Sequence, residues 1–200
     1  MKINTEELLK QAKADAQEDL QVAKDSFNHL TEEELYWQPA PGKWSVGECL
    51  EHLNITFRNY MPKMKTGIQQ GIEKNWKAKE IFKTGLIGQN FTNSFRLDEN
   101  NQPRRRVKTF KNFEPNNLPK RNPRVREEFA ENMTAFIAQI DQAAQVNLQK
   151  VKVTSAIGPI FRFRLGDVLR FVNVHNHRHL VQAQRVIQES EKRKEERMKS

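Results

Sequence analysis

From Thr5 to about Leu30, apolar residues fall at Leu8, Leu9, Ala12, Ala16, Leu20, Ala23, Phe27 and Leu30, in steps of mostly three and four. That spacing gathers them on one face of an amphipathic helix. Thr31 and Glu34 then stand at capping-box spacing ahead of a short turn that stops near Pro39 and the Pro41-Gly42 pair. A second helix opens after Trp44, where Ser45 can accept from the amide near Glu48 while the Glu48 carboxylate reaches back to the Ser45 amide. Its core stripe is Val46, Cys49, Leu50, Leu53, Phe57, Tyr60 and Met64, and it fades by about Trp76. Pro62 lacks a backbone donor and is expected to kink or break that helix.

From about 79 to 122 the helical period disappears, and Gly85, Gly88, Pro103, Pro115 and Pro119 punctuate a basic, asparagine-rich passage that ends at Pro123. The period returns from about 123 to 149 with Val125, Phe129, Met133, Phe136, Ile140 and Ala143, and Pro123 is well placed near the start of that third helix. Gly158 and Pro159 mark the next break. From 165 to about 195, Leu165, Val168, Val172, His175, His179, Gln182 and Val186 alternate steps of three and four, the pattern of a helix packed along its length. Four long helices in one chain of 200 residues predict a single all-α domain spanning 1–200, a four-helix bundle. A long structureless passage inside a compact domain needs a reason. If the middle helices are parallel, the chain must travel the bundle length between them, and residues 79–122 become a crossover in an up-down-down-up topology.

Composition narrows the function. The only cysteine, Cys49, excludes an intramolecular disulfide and any site built from several thiolates, and fits a reducing cytoplasm. No stretch of about 18 apolar residues occurs and the chain turns polar directly after Ile3, so neither a membrane span nor a signal peptide is expected. The net charge of +9 is concentrated between Lys74 and Arg126, whereas Glu189 to Lys199 alternates in sign like a solvated helix end. Arg104, Arg105 and Arg106 lack the interleaved aromatic residues of a stacking platform, which argues against nucleic-acid binding.

The chemistry lies in the fourth helix. His175 and His179 are one turn apart, so both imidazoles leave the same face, about 5–6 Å apart at Cβ. H-x-x-x-H alone is common in soluble helices, but here the pair and Gln182 occupy core-facing positions. Each buried polar group left without a partner there costs about 1–3 kcal/mol, and a shared metal removes much of that cost. His52 flanks the apolar stripe of the second helix and can reach inward. Three neutral histidines would hold a divalent ion and leave a position for water or substrate.

The stretch Trp37 to Asn54, with Pro41-Gly42-Lys43-Trp44-Ser45, Glu48 and Glu51-His52-Leu53-Asn54, and the stretch Leu165 to Val186, with Leu165-Gly166-Asp167, Arg170-Phe171, His175-Asn176-His177-Arg178-His179-Leu180 and Gln182, carry a family resemblance. In order and spacing the chain resembles the DinB-like or YfiT-like superfamily of metal-binding four-helix bundles. The resemblance implies that His52, His175 and His179 are the metal ligands, that the metal is zinc or nickel, that the topology is up-down-down-up, and that the protein forms a homodimer. It also implies a small-molecule substrate. Relatives in that superfamily include transferases and an isomerase that use low-molecular-weight thiols, and others described as metal-dependent hydrolases. A non-catalytic, stress-associated metal-binding or interaction protein stands as the alternative, and no catalytic residue is assigned.

Other polar residues have simpler roles. Glu48 is read as a cap and Cys49 as packing. His177, two residues from each ligand, should face solvent, and His29 suits a helix C-terminus. Trp44 is expected to staple the start of the second helix. Gln182 is a candidate for holding a ligand or substrate, while Asn176 and Arg178 are expected on flanking faces.

Overall fold

Local sequence sets the start of each helix. Asn4 caps α1 (Thr5–Phe27) by accepting from the Glu7 amide, and Thr31 and Glu34 form a complete capping box on the short α2 (Glu32–Leu35). Ser45 and Glu48 form a second such box at the head of α3 (Val46–Glu73). These contacts satisfy amides that have no partner inside the helix. The computed structural model describes residues 1–105, 107–115, 121–155, 158 and 161–199. Arg106, Pro119 and Pro159, used above as charge or punctuation, lie outside the described residues.

The protein is mostly helical. Besides α1 and α3, the long helices are α5 (Val125–Ala143) and α6 (Leu165–Lys199). Helices α1 and α3 each pack on both α5 and α6, so the four enclose a common core. Phe27, Phe57, Phe129, Phe136, Met64 and Met133 are fully enclosed there. Phe57 meets Phe129 and Phe136 with ring centroids 6.2 and 5.8 Å apart. Polar ties fix the register: Asn54 Nδ2 donates to the Val125 carbonyl, Asn173 Nδ2 to the Ala12 carbonyl, and Arg58 bridges Glu51 and Glu128.

Three expectations are corrected. Helix α3 does not break at Pro62 but continues to Glu73. Proline removes one backbone donor, while Tyr60, Met64 and Ile68 stay buried on either side and hold the axis. The third helix ends at Ala143 instead of near Gln149, because the chain turns to pair with the segment after α3: Asn147 N donates to Trp76 O, and Val146 faces Lys77. The passage 79–122 is not structureless. It contains β2 (Ile81–Lys83), α4 (Leu86–Phe95) and a 3-10 turn (Lys111–Phe113).

Strand β2 pairs antiparallel with the N-terminal β1 (Lys2–Asn4), placing Ile3 opposite Phe82. A second ribbon, β3 (Lys152–Thr154) with β4 (Arg162–Arg164), leads directly into α6. The two ribbons meet at the head of α6, where Gly166 lies against the Phe82 ring and Arg164 donates to the Lys83 carbonyl. Helix α4 packs on α6 through Phe91, which lies 4.7 Å from Phe171 between ring centroids. Among the described residues no helix is long and apolar enough to cross a membrane.

Candidate metal centre

The capping box at Ser45 fixes where α3 begins, and His52 follows two turns later on its inner face. His175 and His179 leave α6 one turn apart, as their spacing requires. All three rings are buried, at 4, 4 and 8% exposure. The structure brings together one ligand atom from each within 4.8 Å of one another, and His52 Nε2 stands 3.1 Å from His175 Nε2. Zinc–nitrogen bonds of about 2.0–2.1 Å in a tetrahedron put ligand nitrogens about 3.3 Å apart, so this pair already has nearly the required separation.

Hydrogen bonds orient two of the rings. His52 Nδ1 lies 2.8 Å from the Phe113 carbonyl, which can only accept, so Nδ1 carries the proton and Nε2 presents its lone pair to the other histidines. His179 Nδ1 is 3.0 Å from Gln182 Oε1, which fixes the second ring in the same sense. His175 Nδ1 is buried with no partner among the described residues. Its ring is instead held by aromatic contacts, with Phe95 at 5.3 Å and Phe171 at 5.2 Å between centroids.

Burial keeps these imidazoles neutral. It holds His52 down at about 4, against the contrary pull of its bond to Phe113, and it holds His175 and His179 well below the ordinary histidine range. Neutral nitrogen is the form that binds a metal. The donor set, its neutrality and its nitrogen separation fit one divalent ion.

A pocket of about 70 Å³ opens beside the three rings. Phe91 and Phe95 of α4, Phe171 of α6 and Phe110 and Phe113 of the crossover form its apolar walls, and Arg178 and Lys108 supply positive charge. The crossover is therefore part of the centre, through the Phe113 carbonyl and the pocket wall. Helical periodicity could not reveal the carbonyl, because an acceptor of that kind carries no side-chain signature. The Phe91–Phe95 spacing, one helical turn, was the available signal for α4. Trp44 also has a larger part than a staple: its ring lies 4.8 Å from His52 and 5.6 Å from His179 between centroids.

The remaining sequence candidates separate cleanly. Glu48 is occupied as a cap, accepting from Ser45 N at 2.6 Å and from Gln38. Cys49 is fully enclosed and burial pushes its thiol upward, out of reactive range. His177 is exposed and pairs with Asp19 at 3.1 Å, and His29 is exposed near the end of α1. Asn176 is buried against Met133, away from solvent. Arg178, expected on a flanking face, lines the pocket.

Comparison with curated proteins and with solved structures gives no match. A family model described as the DinB superfamily matches residues 16–183, a span that holds His52, His175 and His179 together, and the chain belongs to that superfamily.

Proposed function

We propose that this protein is a metal-dependent enzyme acting on a small molecule, with His52, His175 and His179 as the ligands of one divalent ion. The observation that carries the reading is the meeting of three neutral, buried imidazoles at the floor of an open apolar pocket. A structural ion would be better served by a closed set of four protein ligands. Zinc and nickel both suit imidazole. The bound ion would act as a Lewis acid, lowering the pKa of a thiol or water at its free position. The chain's own residues do the rest: the Phe113 carbonyl and Gln182 aim the ring nitrogens, while Trp44 and the phenylalanines limit water around them.

Thiol transfer from a low-molecular-weight thiol is placed ahead of hydrolysis, on family likeness. The up-down-down-up course of the helices belongs to the same reading and is supported by the long crossover between α3 and α5. A homodimer in a reducing cytoplasm completes it; sedimentation as a monomer at working concentration contradicts the dimer. The catalytic test offers zinc- or nickel-loaded protein cysteine with an electrophilic dye, and separately nitrophenyl esters. Turnover that requires the metal and is lost in His179→Ala is the expected result. Stoichiometric metal with no turnover of either substrate class overturns the enzymatic reading in favour of a binding protein.

A further inference from the structure

The charge around the pocket is one-sided. Three neutral imidazoles leave the charge of a bound cation uncompensated. Among the described residues that line the pocket there is no aspartate or glutamate, whereas Arg178 and Lys108 both reach it. Two other arginines have carboxylates beside them: Arg58 pairs with Glu51 and Glu128, and Arg170 stands 3.8 Å from Asp167, whereas Arg126 donates to the main-chain carbonyls of Phe27, Asn28 and Leu30. Among the described residues Arg178 has no acidic partner. Its hydrogen bonds go to the Arg105 carbonyl at 3.1 Å and, at 3.5 Å, to the Ser94 carbonyl. A guanidinium has more N–H donors than two carbonyls can take.

The position of that arginine is fixed. It lies on α6 between His177 and the ligand His179, and its guanidinium is 5.8 Å from the centre of the Phe95 ring. Its bond to the Arg105 carbonyl ties the passage between α3 and α5 to α6, and Lys108 of the same passage lines the pocket. Positive charge at the mouth of an apolar cleft draws anions toward it.

We propose that the pocket takes a short organic anion, its acidic group bonded to the Arg178 guanidinium and its apolar carbons against Phe91, Phe95 and Phe171. The volume of about 70 Å³ admits a few carbon atoms in place of roughly two waters and sets the size of the enclosed part. A planar guanidinium matches a carboxylate with two parallel bonds, a geometry that lysine does not supply. The proposal names the substrate class of the metal centre and rests on that centre being a small-molecule site.

The test uses isobutyrate and its neutral analogue isobutyramide, titrated by NMR into the full-length protein, both metal-loaded and stripped with chelator. Metal content is measured on the same samples. Isobutyrate is expected to bind about tenfold more tightly than isobutyramide in the stripped parent protein. The preference should vanish in Arg178→Met and persist in part in Arg178→Lys, with the melting temperature of each variant checking that the crossover still packs. Equal binding of the two probes, binding of neither, or a preference that survives Arg178→Met overturns the proposal. A preference seen only in loaded protein and removed by chelator also overturns it, because the carboxylate would then be on the metal. If no metal binds but the Arg178-dependent preference is present, the anion site stands and the metal reading fails by itself.

Discussion

Gln182 is the residue whose part can be read most directly from one bond. It accepts from His179 Nδ1 and thereby sets which nitrogen of that ring faces the other two. Gln182→Ala should weaken metal binding by about 10- to 100-fold in a chelator competition, with little change in melting temperature. Ser45 acts on structure instead: it is fully enclosed and caps α3, so Ser45→Ala should cost about 1 kcal/mol in denaturant unfolding while metal stoichiometry is kept. At this scale the histidine pair was legible because helical spacing alone puts i and i+4 on one face. Glu48 and Cys49 were legible for similarly local reasons, a three-residue capping distance and an apolar stripe. The Phe113 carbonyl, the placement of Arg178 in the pocket and the contact of Trp44 with the His52 and His179 rings depend on where distant segments meet, and nothing within a few residues of them encodes that.

The four long helices follow from their apolar stripes, and their starts from the side chains that cap them. Helix ends were harder: the turn after Ala143 is set by the pairing of Asn147 with Trp76, about seventy residues earlier in the chain. Helix α4 escaped periodicity because it is short, carries Gly88, Asn90, Thr92 and Asn93, and leaves Leu86 and Ile87 exposed. The two ribbons were missed for a related reason, since three-residue strands offer almost no alternation to read. One of them can be tested at its contact with α6. A Cβ added at Gly166 would lie 2.7–2.9 Å from the Phe82 ring. Gly166→Ala should therefore destabilise the fold by about 1–3 kcal/mol, and Phe82→Leu in the same chain should make the double variant less unstable than the two single losses summed.

Across the whole molecule, the buried histidines couple stability to pH. In the folded, metal-free chain His52 stays neutral down to about 4, and His175 and His179 lie well below the ordinary value, all because of burial. The unfolded chain takes up protons at about 6.5, so below that pH it binds more protons than the folded chain. Stability from these groups is complete above about 6.5 and is lost progressively as pH falls below it. His177 works the other way, since its bond to Asp19 raises it, and offsets part of that loss. The denaturant midpoint of stripped protein should therefore fall between pH 7 and pH 5, and His177→Ala should fall more steeply. The all-α class rests on periodicity, and the meeting of His52, His175 and His179 was anticipated from helical spacing together with family likeness, whereas the pocket required residues of the long connection to be folded back against α6. The most direct measurement is elemental analysis of protein purified without an affinity tag or chelator, for the parent, His52→Ala and His179→Ala. About one equivalent of zinc or nickel in the parent, lost in both variants, is the result expected of a three-histidine centre; no metal in the parent after reconstitution, or full occupancy in either variant, would contradict it.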